Sequence, residues 1–142
     1  MARVINTNNP GKRRNSFMRT SAEILRQLSQ QKEVNEDTKD MVAMLIYCLR
    51  GIDATVEESI TAWEKRGYWK KADGFQQKWW WASLMEVSLT KLVQTNDWDK
   101  MPETMVKLFP HFSGIKINKM TRNPKDWEGT YRKLMEELDS ST

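Results

Sequence analysis

Residues 70–96 read KKADGFQQKWWWASLMEVSLTKLVQTN, and this pattern says most about the architecture. Projected at about 100° per residue, as an α-helix requires, the apolar side chains fall into two arcs. A broad arc includes Trp81, and a second arc contains Trp80, Leu84 and Val87. A helix that is apolar on two faces needs a packing partner on each. We therefore expect this helix in the middle of a bundle, with Trp80 and Trp81 packed on opposite faces.

Trp79 differs from its two neighbours, because the same projection places it among polar residues. Two interpretations stay open. Trp79 packs near the core, as most large aromatic side chains do. Alternatively, it belongs to a surface that a partner covers or on which a base stacks.

A second long helix is predicted over residues 36–66. Apolar residues recur there every three or four positions, acidic residues follow Asn35 at the expected start, and Gly67 suits the turn after the last residue. Gly51 lies inside this pattern and indicates a bend or a close helix crossing. Because the connection to the tryptophan-rich helix is short, the two should form an antiparallel hairpin over residues 36–66 and 70–96.

Three shorter helices are expected to pack against this hairpin. The first should start between Asn15 and Ser21, where Thr20 and Glu23 have the spacing of a capping box. The second should end at Pro110 and bury Met105, Val106, Leu108 and Phe109. The third should begin at Asn123 and Pro124 and follow the stripe Trp127, Tyr131, Leu134 and Leu138. The alternating residues 115–119 are assigned to a loop, since no second strand is evident.

The predicted fold class is therefore an all-α, single-domain helical bundle. Residues 1–15 are assigned to a flexible basic N-terminal arm, residues 16–138 to the bundle domain, and residues 139–142 to a frayed C-terminus. The chain has 142 residues, enough for one domain. Its mean hydropathy is −0.74, and it has one cysteine, Cys48, so an internal disulfide is excluded. No stretch approaches the about 18 apolar residues of a membrane span, and we expect a cytoplasmic protein.

Positive charge is concentrated in three segments, although the net charge is only +4. The first segment has no acidic residue between positions 1 and 20 and contains Arg3, Lys12, Arg13, Arg14 and Arg19. The second, acid-free from Phe112 to Lys125, contains Lys116, Lys119, Arg122 and Lys125. The third is the predicted hairpin tip, where Tyr68 and Trp69 accompany Lys65, Arg66, Lys70 and Lys71.

The sequence contains no pattern typical of catalysis. Its one histidine, His111, and its one cysteine are 63 positions apart, and no zinc or di-iron ligand spacing occurs. Nucleophile elbows, Walker loops and dinucleotide-binding glycine motifs are also missing. We therefore expect neither an enzyme nor a bound metal or cofactor.

Two classes of function fit these observations. The first is a nucleic-acid-associated accessory protein that grips the phosphate backbone of DNA or RNA through its basic arm and basic loop, alone or as a small subunit of a larger nucleoprotein assembly. Tyr68, Trp69 and Trp79 are the candidates for stacking or partner contact. The alternative is a structural or adaptor protein, because seven tryptophans and nine methionines suit a surface for protein contact or self-association.

Overall fold

The computed structural model describes residues 9–140, and these form helices joined by turns and loops, with no strand among them. The all-α prediction is therefore confirmed. In chain order the elements are α1 (Pro10–Ser29), α2 (Glu36–Lys65), α3 (Trp69–Gln94), a 3-10 turn (Trp98–Lys100), α4 (Met101–Phe112), α5 (Pro124–Trp127) and α6 (Thr130–Ser140).

Helices α2 and α3 form the expected antiparallel hairpin. The side chain of Asn35 accepts a hydrogen bond from the backbone N–H of Thr38 at 2.9 Å, which caps the start of α2. Gly67 has a φ of +78°, the left-handed conformation that glycine adopts at low cost after a helix. Helix α3 begins at Trp69, so this side chain belongs to the first helical turn.

The centre of the bundle is α2, whereas the sequence pattern placed the tryptophan-rich helix there. Residues on nearly every side of α2 are buried, including Met41, Val42, Leu45 and Ile46, because the helix packs against α1, α3, α5 and α6. At 30 residues it is about 45 Å long.

Helix α3 uses one of its two apolar arcs for packing. The residues of its second arc, Trp80, Leu84 and Val87, are 53%, 52% and 58% exposed. The expectation that Trp80 packs on an opposite face is therefore wrong. It failed because a solvent-exposed apolar stripe has the same periodicity as a buried one.

Helix α1 begins earlier than predicted. The Asn9 side chain accepts a hydrogen bond from the N–H of Gly11 at 2.8 Å and caps the helix, and Pro10 occupies its first position. Residues 10–15, assigned above to the flexible arm, are therefore helical. The proposed capping box at Thr20 and Glu23 is wrong for the same reason, since both lie in the helix interior.

A close crossing joins α1 to α2 at Gly51. A Cβ atom added at this glycine would lie 2.6 Å from ring atoms of Phe17 on α1. Of the two interpretations of Gly51, the close helix crossing is confirmed.

Helix α4 continues through Pro110 to Phe112, and two of the four residues expected to be buried, Met105 and Leu108, are buried. Its buried residues are Met101, Met105, Leu108 and Phe112, spaced by three or four positions. Val106 is 66% exposed and Phe109 is 39% exposed, so their predicted burial is wrong.

The expected last helix is divided by a turn at Gly129, whose φ is +80°. The short α5 starts at the predicted Asn123 cap and buries Trp127, whose indole Nε1 donates to Asp37 Oδ1 at 2.7 Å. Helix α6 extends to Ser140. The segment before α5 is a loop, as predicted. Within residues 9–140, no helix has the length and apolar character needed to cross a membrane.

Candidate nucleic-acid interface

Two of the basic segments lie against each other, although about a hundred residues separate them in sequence. The basic loop, residues 113–123, packs on the side of α1. The guanidinium of Arg19 donates from NH2 to the carbonyl oxygen of Lys119 at 3.0 Å and from NH1 to that of Lys116 at 3.5 Å. Arg19 therefore belongs to the same surface as the loop lysines.

A second arginine on α1 makes an equivalent contact one heptad later. Arg26 donates from NH1 to the carbonyl oxygen of Ile117 at 2.9 Å. Lys12, Arg19 and Arg26 are seven residues apart, which places them on one side of the helix with about 10 Å between successive positions. The basic loop thus lies along the cationic side of α1.

Glu23 on α1 holds the basic loop in place through hydrogen bonds. Its carboxylate is fully buried and accepts hydrogen bonds from Thr121 N at 2.5 Å, Thr121 Oγ1 at 2.7 Å and Arg122 N at 2.9 Å. Burial by itself would raise the pKa of Glu23, but these hydrogen bonds, together with one from Arg19, outweigh it and lower the pKa. The negative charge is thus directed inward at the loop backbone.

The solvent-facing side of α1 and the basic loop is positively charged. Lys12, Lys116 and Lys119 are exposed, and Arg19 and Arg122 are half-buried. Residues 9–28 and 113–125 together contain one acidic residue, the buried Glu23. We call this set the basic surface: Lys12, Arg19, Arg26, Lys116, Lys119 and Arg122. Lys125, also exposed, lies beyond the loop at the start of α5, next to Asp126.

Two arginines assigned to the predicted arm are turned toward the protein instead. Arg14 is 9% exposed, and it donates to Thr55 Oγ1 at 3.2 Å and to Ser59 Oγ at 2.7 Å. The guanidinium of Arg14 is therefore buried and bonded within the protein, apart from the exposed lysines. Arg13 pairs with Glu58 on α2 at 2.5 Å. The predicted contact residue Arg3 lies outside the described residues.

The third basic segment is the hairpin tip, which lies at the opposite end of α1 from the basic loop and at the same end as Lys12. Tyr68 and Trp69 are 54% and 64% exposed, among exposed lysines and arginines at the hairpin tip. The tip lies at the end of the bundle where α1 begins, since Arg13 and Arg14 reach the last turns of α2. The basic loop contacts the second half of α1.

Trp79 is not part of an exposed surface. Its ring lies 6.2 Å from the Phe75 ring and 5.9 Å from the Trp81 ring, between centroids, and the Arg14 guanidinium lies 5.5 Å from its centroid. The first turns of α1 cover this side of α3. Of the two interpretations, near-core packing is therefore the correct one. The exposed tryptophans of α3 are Trp69 and Trp80.

The sequence did not indicate the roles of two residues, Arg26 in the basic surface and Glu23 beneath the basic loop. Arg26 had a detectable signal, because it continues the seven-residue spacing of Lys12 and Arg19. Glu23 was noticed for a capping role that it does not have. Nothing local in the sequence indicates that its carboxylate meets Thr121 and Arg122.

The chain's one cysteine is buried, and its one histidine is exposed but stacked on a tryptophan. Burial raises the pKa of the Cys48 thiol to about 11, so it is protonated at neutral pH. His111 stacks on Trp81 with ring centroids 4.2 Å apart, and desolvation lowers its pKa. Across residues 9–140, no three His, Cys, Asp or Glu side chains cluster closely enough to hold a metal ion.

Comparison of this chain with models of known protein families, with curated proteins and with solved structures gives no match.

Proposed function

We propose that this protein binds nucleic acid by gripping the phosphate backbone with the basic surface. The observation that supports this most directly is the contact of Arg19 with the carbonyl oxygens of Lys116 and Lys119, because it joins two distant cationic segments into one surface. A phosphate backbone presents regularly spaced negative charges, which suits cations arranged along a helix and an adjoining loop.

The chemistry of the surface favours backbone contact over base reading. Exposed lysines act as flexible point charges that neutralise phosphates without recognising a base. Arg19 and Arg26 on α1 are held in place by hydrogen bonds to the loop, and Arg122 in the loop donates to Thr20 Oγ1 on α1. Their positive charge still contributes to the local potential. A largely sequence-independent binding mode follows from this composition.

The hairpin tip adds a feature suited to unpaired bases. The exposed rings of Tyr68 and Trp69, with lysines beside them, are typical of sites where bases stack in single-stranded nucleic acid. Single-stranded ligands would therefore use both the tip and the basic surface, and duplex ligands the basic surface.

The test is a fluorescence-anisotropy titration of labelled duplex DNA, single-stranded DNA and RNA, repeated over a series of salt concentrations. We expect binding at low salt that weakens steeply as salt rises, because phosphate contacts release counterions. The variant K116E/K119E should bind duplex DNA at least about tenfold more weakly at low salt, with a shallower salt dependence. W69A should weaken binding of single strands more than of duplex.

A matched control is available in α4 and the turn before it. Lys100 and Lys107 are exposed and lie beside α3, away from the basic loop. The variant K100E/K107E changes the net charge by the same amount as K116E/K119E. Equal losses from both double variants, or no binding of any ligand by the wild-type protein at low salt, would contradict the proposal.

A further inference from the structure

The outward face of α3 has a stripe of exposed apolar side chains that does not belong to the hydrophobic core of residues 9–140. Trp80, Leu84 and Val87 lie on it at spacings of four and three residues, and each is more than half exposed. This is the spacing of a helix that pairs with another helix along one seam. Continued in both directions, the same stripe reaches Asp73 and Gln77 on one side and Lys91 on the other.

The two ends of this stripe have opposite charges. Asp73 is exposed and accepts a hydrogen bond from Gln77 Nε2 at 3.1 Å, and Lys91 is exposed. When two copies of the stripe are laid antiparallel, one register pairs every position with another position of the stripe. Trp80 then meets Leu84 of the second copy, Gln77 meets Val87, and Asp73 meets Lys91.

The opposite orientation lacks this complementarity. In a parallel pair, Asp73 would face Asp73 and Lys91 would face Lys91, which is repulsive at both ends. The positions beside the stripe are Gly74, Gln76, Trp81, Ser83, Ser88 and Thr90, all uncharged although 30% of the chain is charged. The largest of them, Trp81, packs against His111 and Phe112 of α4. Neutral flanks let two helices approach without charge repulsion between the positions beside the seam.

We propose that α3 is a self-association surface, and that two copies of this chain form a two-fold symmetric dimer through an antiparallel α3–α3 pair. Such an interface is isologous, because both copies use the same surface and each residue pair occurs twice about the axis. The exposed apolar contact spans about two helical turns, so the dimer should be weak and its population should depend on protein concentration.

Sedimentation equilibrium of the full chain tests this from about 5 µM to about 1 mM, a range in which a weak dimer changes population. We expect a concentration-dependent monomer–dimer equilibrium. L84E should abolish it, because both symmetry-related Trp80–Leu84 contacts would then place a charge against an apolar ring. Leu84 is half exposed, so circular dichroism should show that the variant remains folded.

The charge pair tests the register. D73K should weaken dimerisation by about tenfold, because each of two symmetric pairs becomes repulsive, and D73K/K91D should restore it. A wild-type chain that stays monomeric throughout, or a dimer that persists in L84E, would overturn the surface. A dimer that L84E abolishes but D73K leaves unchanged would overturn the antiparallel arrangement. Because Asp73, Leu84 and Lys91 lie outside the basic surface, failure of this proposal leaves the one on nucleic-acid binding untouched.

Discussion

Glu23 illustrates how a single buried carboxylate can organise a surface of the opposite charge. It accepts hydrogen bonds from Thr121 and Arg122, and these replace the water that a charged group loses on burial. Hydrogen bonds to ionised groups contribute more to stability than those between neutral ones. The basic loop therefore depends on Glu23 for its place on α1.

Substitution of Glu23 by glutamine should destabilise the protein and alter its response to acid. At neutral pH, E23Q should lose about 1–3 kcal/mol of unfolding free energy, because a charged acceptor becomes an amide that opposes the Arg19 donor. The folded-state pKa of Glu23 lies below its ordinary value of 4.5. Its contribution to stability is therefore present above about pH 4.5 and is lost as the pH falls through the folded-state pKa.

Urea denaturation of the wild type and E23Q from pH 7 to pH 3 measures this contribution. The difference between the two unfolding free energies should shrink as the solution becomes acidic. Other carboxylates, such as Glu137, titrate in both proteins and cancel in the difference. A difference that stays constant over the range would contradict the role given to the Glu23 charge.

Two glycines offer a matched test of the α1–α2 crossing. Both Gly51 and Gly74 lie inside helices, where alanine is intrinsically better by about 1 kcal/mol. A Cβ at Gly51 would meet the Phe17 ring at 2.6 Å, whereas one at Gly74 would meet nothing within 4 Å. We expect G51A to destabilise by about 1–3 kcal/mol and G74A to stabilise slightly, both by thermal unfolding at low protein concentration. Equal effects in the two variants would count against a tight crossing.

Two helices, α1 and α5, begin at an Asn-Pro pair. Asn123-Pro124 predicted a helix start correctly. Asn9-Pro10, assigned above to the flexible N-terminal arm, begins a helix in the same way. The following residues, rich in lysine and arginine, lacked the apolar stripe that marks a packed helix. Arg14 provides the missing contact through its guanidinium, which covers the Phe75 ring at 4.7 Å.

The earlier start of α1 also explains why the sequence left the environment of Trp79 undecided. Without α1 on that side of α3, Trp79 seemed to have no neighbour. Trp79 to alanine should destabilise the protein by about 2–4 kcal/mol, because packing against Phe75, Trp81 and Arg14 is lost. Trp80 to alanine should change the unfolding free energy by no more than about 0.5 kcal/mol, since its ring is exposed. Denaturant unfolding at low protein concentration distinguishes them, and a larger loss from W80A would contradict the assignment.

For the whole molecule, what could be predicted depended on local sequence. The caps at Asn35 and Gly67 and the α2–α3 hairpin follow from residues close together in the chain. The central position of α2 could not be predicted in this way, because it depends on which helices find one another. The same holds for the basic surface, which exists because Arg19 reaches Lys119 across 100 residues.

A nucleic acid held by α1 and the basic loop together should depend on lysines of both, and the salt dependence of duplex DNA binding measures the contribution of each. Lys12 and Lys116 lie in the two different segments. For each variant, the logarithm of the association constant for duplex DNA is plotted against the logarithm of the salt concentration. The slope should fall in magnitude by about 0.9 for K12E and by a similar amount for K116E. It should fall by about twice as much for K12E/K116E. A slope that changes with one of these lysines alone, or with neither, would contradict a shared surface.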